Sequence, residues 1–144
     1  MAKTLLDLAA RMKRLATAVD AAASNHAVKV ALTIVGDLAY HTPVDTSKAL
    51  SNWVVSIGTP TFKRIDPYFF GESGSSRNAS AQQTIAAAKA MLANKKPGQV
   101  IYITNSQPYI RRLNEGYSRQ APAGFVERSV LIGRRVKFEF KAKA

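Results

Sequence analysis

The first forty residues constrain this chain most. Between Thr4 and Tyr40, apolar residues recur at spacings of three and four: Leu5, Leu8, Met12, Leu15, Val19, Ala22 and Ala23, then Val30, Ile34, Val35 and Leu38. That spacing is the period of one helical face and predicts a long helix. At 1.5 Å per residue it would run roughly 50 Å, more than a small domain can cover by itself. A helix of that length is expected to pack against a neighbouring subunit. Ser24-Asn25 is its weak point, and two ordinary helices with a turn near Asn25 are the alternative. His26 lies inside the run with no second ligand at metal spacing, so it reads as a solvent-facing or core histidine.

At 144 residues the chain is expected to form one domain, and a hydrophobic fraction of 47% is enough to build a core. There is no cysteine. That excludes a disulfide framework and thiolate metal sites, and it fits a reducing compartment. No apolar run approaches the ~20 residues of a membrane span. Met1-Ala2-Lys3-Thr4 leads into a charged amphipathic segment, not a signal-peptide apolar block, so a cytoplasmic location at synthesis is expected. The net charge of +12 is uneven: +2 over residues 1–40, +1 over 41–78, +3 over 79–106 and +6 over 107–144. A basic C-terminal quarter suits nucleic acid, an acidic protein partner or simple solubility, and does not choose among them.

Beyond the long helix, Pro43 forces the preceding residue out of helical geometry. Asp45 or Thr46 can then cap a short helical turn. Trp53 to Ile57 alternates as a strand, ended by Gly58-Thr59-Pro60. Residues 59–78 hold Phe62, Ile65, Tyr68, Phe69 and Phe70 among breakers, and the Gly/Ser-rich part reads as a mobile loop. Ser80 to Asn94 is an alanine-rich helix with Ile85, Ala88, Met91 and Leu92 as its stripe. A turn at 94–98 feeds a strand, Gln99 to Thr104, expected to pair with the Trp53 strand. Pro108 suits the first position of a helix. Tyr109, Ile110 and Leu113 share a face of it, and Gly116 ends it in a left-handed conformation. Pro122 and Gly124 break the next loop, and a last helix is expected from about Pro122 to Gly133. In residues 134–144, Val136, Phe138 and Phe140 alternate with Lys137, Glu139 and Lys141. That pattern fits a strand or extended arm that seeks a sheet edge or a partner subunit. The fold class is α+β: a long N-terminal helix on a small antiparallel sheet, with additional helices and a C-terminal strand or arm.

Chemistry finds little support. His41, Asp45 and Ser47 invite a triad, but the three share one turn with no nucleophile elbow, and Asp45 is read as a helix cap. Gly71-Glu72-Ser73-Gly74-Ser75 lacks the lysine and spacing of a phosphate loop. No catalytic, metal or cofactor residue is assigned. Arg111 and Arg112 can meet phosphate or acidic protein groups, and protein contact is favoured. Tyr117 and Arg119, on the loop after the helix, are residue types favoured as interface anchors.

Two blocks resemble a known family. Thr42-Pro43-Val44-Asp45-Thr46, a short basic helical turn and Trp53 form the first. Pro108-Tyr109, Leu113-Asn114-Glu115-Gly116, Ser118, Gln120-Ala121-Pro122 and Gly124-Phe125-Val126 form the second. In this order, after a long N-terminal helix, they resemble the HK97 gp10-like tail-completion proteins of tailed bacteriophages. Ser47 stands where that family has Gly, and Ala49 and Leu50 depart from its leucine-then-basic order. Residues 59–97 are variable in the family. The resemblance implies a virion neck protein that forms a ring, sixfold or twelvefold, at the head-proximal end of the tail. It would be made in the host cytoplasm. Its partners would be sister subunits, portal or head-completion connector proteins, and the tail tube or tail terminator. DNA would pass through without specific binding, and no membrane is implied. The motif residues Pro43, Asp45, Thr46, Trp53, Pro108, Tyr109, Leu113, Gly116, Pro122 and Gly124 would be structural. Arg111, Arg112, Tyr117, Arg119, Val136, Phe138 and Phe140 would be the candidate interface. The alternatives are a minor component elsewhere in the tail or a basic nucleic-acid-binding module.

Overall fold

The computed structural model of the chain describes residues 4–45 and 47–140. Thr46, expected as a cap and motif residue, and residues 141–144 of the expected arm lie outside them. The first element is one unbroken helix, α1 (Leu5–His41). Thr4 caps it, its hydroxyl accepting from the Asp7 N–H at 3.1 Å. The chain does not turn at Ser24-Asn25. The buried Ser24 hydroxyl accepts from Lys95 Nζ at 2.9 Å, so it has a distant partner and does not compete for the local backbone. The helix ends at Thr42, which is extended (ψ 128°) as the residue before a proline must be.

Only the second half of α1 enters the core. Ala31, Val35, Leu38 and Ala39 are buried. They pack under α3 (Arg77–Leu92) on one side and α5 (Phe125–Arg134) on the other. A two-stranded antiparallel sheet, β1 (Val54–Ile57) and β2 (Ile101–Thr104), in the register Val55 with Ile103, packs on α1 and α3, β1 against α3 and β2 against α1. Val55, Ala88 and Leu92 close the core over Ala31 and Val35. Leu38, Trp53, Ala121 and Phe125 form a second cluster, with Ile110 and Leu113 of α4 (Ile110–Asn114) against it. Ala39, Val44, Leu50 and Ala81 form a third around α2 (Lys48–Ser51). Gly133 lets α5 lie close on α1: a Cβ there would overlap the Ile34 side chain. The molecule is thus α+β, as its pattern predicts.

Several local expectations are corrected. Asp45 does not cap a helix: α2 follows Ser47, and the Asp45 carboxylate accepts from the Ser73 N–H at 2.8 Å instead. Trp53 precedes β1 and does not begin it. Met91 is 43% exposed, and Ala81 and Thr84 take the inward positions of α3. That helix starts at Arg77, inside the segment expected as loop. Pro108 is not helical. It is the second residue of a turn closed by the Ile110 N–H on the Gln107 carbonyl at 3.2 Å, where proline's fixed φ also fits. The last helix begins at Phe125, after a left-handed Gly124 (φ 82°), not at Pro122. Residues 135–140 form no strand. Phe138 of this arm packs edge-on against His26, with ring centroids 5.4 Å apart.

Candidate functional site

The two motif blocks meet. Gln120 reaches the backbone of Val44, 76 residues away: its Oε1 accepts from the Val44 N–H at 2.8 Å and its Nε2 donates to the Val44 carbonyl at 2.9 Å. Arg77 Nη2 donates to the same Oε1 at 2.7 Å, and Nη1 donates to the Tyr40 carbonyl at 3.1 Å. The end of α1, the start of α3 and the loop before α5 thus converge on one amide. Trp53 is placed by its indole N–H, which donates to Thr42 Oγ1 at 2.8 Å. Asn105 Nδ2 donates to the Ala49 carbonyl at 2.8 Å, while its Oδ1 accepts from the Gln107 N–H at 3.1 Å, an Asx turn.

Leu113 packs in the cluster of Leu38 and Phe125, and Tyr109 is at the edge of the cleft between the blocks. Burial raises the pKa of the Tyr109 phenol, so it remains neutral through the physiological range. Gly116 (φ 93°) ends the α4 turn, its N–H donating to the Leu113 carbonyl at 3.3 Å. A side chain there would also press on Ala123. Asn114 then ties α4 to the start of α5: its Oδ1 accepts from the Val126 N–H and its Nδ2 donates to Glu127, each at 2.9 Å. The bond from Asn114, and then Glu127's own backbone N–H, hold the Glu127 carboxyl below its ordinary pKa.

Ser47 is left-handed (φ 65°, ψ 12°). This conformation is strained for a residue with a Cβ and natural for glycine. The Ser47 hydroxyl is 2.7 Å from that of Ser76, which helps to hold the turn. Within residues 59–78, the segment read as a mobile loop, two residues bond to the end of α2 and the residue after it. Asn52 grips Ile65 on both sides, accepting from its N–H at 2.8 Å and donating to its carbonyl at 2.9 Å. Ser51 Oγ accepts from the Tyr68 N–H at 3.1 Å.

The candidate interface residues fall into two groups. Arg111, Arg112, Tyr117 and Arg119 are exposed together around α4 and the loop after it, with the Arg112 guanidinium 5.8 Å from the Tyr117 ring centroid. Val136, Phe138 and Phe140 belong to the arm beside the middle of α1. Val136 and Phe140 are half-buried, and Phe138 is the most open of the three.

His41, Asp45 and Ser47 are each engaged elsewhere. His41 Nδ1 lies 3.1 Å from the Asp37 carboxylate, Asp45 holds Ser73, and Ser47 meets Ser76. Asp37 also accepts from Ser129 of α5 and faces Arg128 at 3.6 Å, so it links α1 to α5. Among the described residues no three His, Asp or Glu side chains cluster as metal ligands, and no helix is long and apolar enough to cross a membrane.

The residues that sequence reasoning passed over are Gln120 as a junction, Asn52, Asn114 and Asp37. The signal for the first three is chemical. An amide offers a donor and an acceptor side by side and can satisfy both backbone groups of another residue, but nothing local says which residue.

The chain matches no family model, no curated protein and no solved structure.

Proposed function

We propose that this protein is a structural subunit of a tailed-bacteriophage virion, assembling as a sixfold or twelvefold ring in the neck, where it joins the tail to the portal connector. The observation that carries the reading is the interlock of the two motif blocks. Gln120 on Val44, Trp53 on Thr42 and Asn105 on Ala49 all direct polar groups at backbone. Side chains that spend their polar groups on backbone in this way suit a scaffold that holds loops in fixed positions. Ser47 supports it too, since it takes a glycine-like conformation where the resembled family has Gly.

The scaffold holds outward surfaces in place: Arg111, Arg112, Tyr117 and Arg119 around α4, the arm with Phe138, and an open groove lined by Ile57, Pro60, Phe62 and Met91 beside the sheet. Phe62 is 77% exposed there. These surfaces suit sister subunits, connector proteins and tail-tube or terminator proteins. DNA passes through such a ring without specific binding, so most of the +12 charge faces acidic protein partners, away from the bore.

Light scattering with negative-stain imaging, on the protein alone and mixed with portal or tail-tube protein, tests the reading. Rings at six or twelve times the 15.6 kDa subunit mass are expected. Failure to co-assemble with either partner, together with tight salt-sensitive duplex binding, would instead favour a nucleic-acid module.

A further inference from the structure

The cleft between the two motif blocks has a volume of about 280 Å³. That is below the roughly 300–1,000 Å³ of small-molecule sites, and it suits one or two side chains of another protein. Pro43, Val44, Ala49 and Leu113 supply its apolar lining. Its shape is set before any guest arrives, because Gln120 from the second block holds both backbone groups of Val44 in the first. A preformed cleft spares a guest the cost of ordering its walls.

The polar lining is lopsided. Its acceptors are engaged: Gln120 Oε1 takes two donors, from Val44 and Arg77, and the Val44 carbonyl takes the Gln120 amide. Ser118 Oγ accepts from the Gln120 N–H at 3.2 Å. Asp45, the one acid in the lining, accepts from the Ser73 N–H through Oδ1. The donors are not engaged. Among the described residues, the Lys48 ammonium, the Tyr109 hydroxyl and the Ser118 hydroxyl proton have no acceptor. Burial raises the Tyr109 pKa, so the phenol keeps its proton to donate. Two more cations border the cleft. Arg77 lies 2.7 Å from Gln120 Oε1, and Arg119 sits between Ser118 and Gln120 in the chain. Among the described residues neither is within 4.0 Å of a carboxylate, since the ion pairs are both at Asp37.

Lys48, Arg77 and Arg119 thus outweigh Asp45, and Asp45 apart, the unused polar groups are donors. A purely apolar guest would strip water from those donors and give them nothing in return. A carboxylate accepts several hydrogen bonds at once and answers all three. A phosphodiester also accepts, but it brings no apolar group to fill the lining of Val44 and Leu113. We propose that this cleft is a recognition pocket for an acidic segment of a partner protein. An Asp or Glu carboxylate sits on Lys48, Tyr109 and Ser118, and a neighbouring apolar side chain enters against Val44 and Leu113. The pocket rests on the reading that the basic surface meets acidic protein, and gives that contact an address.

The test uses a display library of short random peptides selected on the full chain. The selected peptide is then made synthetically, together with a counterpart whose Asp and Glu are replaced by Asn and Gln. Selected sequences are expected to pair an acid with an apolar residue, and amide NMR shifts to place the peptide at residues 47–49 and 118. The double variant Lys48→Ala, Tyr109→Phe should weaken binding by more than about tenfold, and so should the uncharged counterpart. Thermal melting checks the variant's fold, and the uncharged counterpart needs no variant at all. No enrichment, enrichment without an acid, shifts that map elsewhere, or equal binding of the uncharged peptide each overturns the proposal. Duplex DNA that displaces the peptide and shifts the same amides more strongly also overturns it, and assigns the cleft to phosphate. Rings that assemble with connector protein while no acidic peptide is selected remove the pocket alone. An acid-selective pocket on a chain that never forms rings with neck partners removes the neck reading alone.

Discussion

Gln120 and Asn52 are amides that each close on both backbone groups of one distant residue, Val44 and Ile65. Such pairs imitate a strand ladder with a single side chain, and they are directional where apolar packing is not. Gln120→Ala leaves the N–H and carbonyl of buried Val44 unsatisfied. It should destabilise the fold by about 2–3 kcal/mol in urea denaturation. A loss within experimental error would mean that the two blocks are held by packing alone. Glu127 carries a pH signature. Its folded pKa is lowered, so its stabilising contribution is complete above the unfolded value near 4.5 and is lost as pH falls through the folded value. The stability advantage of wild type over Glu127→Gln should therefore shrink on acidification below about pH 4.5, as read by denaturation midpoints in a pH series. Pro43, Trp53, Gly116 and Gly124 are legible as structural in the sequence, because proline and glycine announce their backbone needs locally. Asp45 misleads, since a carboxylate before a helix is a cap by default and here a loop N–H 28 residues on reaches it first.

The helices differ in what sets them. In α1 periodicity is strong enough that its existence and length can be read directly, yet the period does not say which face turns inward. Two glycines separate packing from propensity. Gly133 of α5 has Ile34 against it, so Gly133→Ala should destabilise by about 1–3 kcal/mol in thermal or urea denaturation. Gly36 of α1 has nothing within 4 Å of a built Cβ, so Gly36→Ala should stabilise by roughly 0.5–1 kcal/mol in the same assay. Matching signs would contradict the packing of α5 on α1. The two halves of α1 should also differ in hydrogen exchange. In dilute solution the amides of residues 8–22 should exchange far faster than those of 28–40, because an unpacked helix of that length is marginal. The short elements are less determined by local sequence. Pro108 satisfies both a helix start and a turn, and only the docking of Ile110 and Leu113 on the Leu38 cluster selects the turn.

Across the whole molecule, charge and shape point outward. Twenty-one basic residues serve a 144-residue chain, with the basic excess concentrated after residue 106, around α4, α5 and the arm. In the neck reading these groups meet acidic protein. Arg111→Ala with Arg112→Ala should weaken capture of connector or tail proteins in a pull-down and leave duplex binding in a gel shift unchanged. The opposite pattern would move the protein to the nucleic-acid class. The sequence by itself determined the α+β class, the long helix, the pairing of two strands and the breakers between elements. Each of these follows from local periodicity or from the backbone limits of proline and glycine. Tertiary structure alone decided that Gln120 joins the two motif blocks, that α1 runs unbroken past Ser24, and that the core covers only the rear half of α1. Those outcomes depend on which groups meet across tens of residues. A hydrogen bond or a packed face needs both partners in place, and neither partner's local sequence names the other.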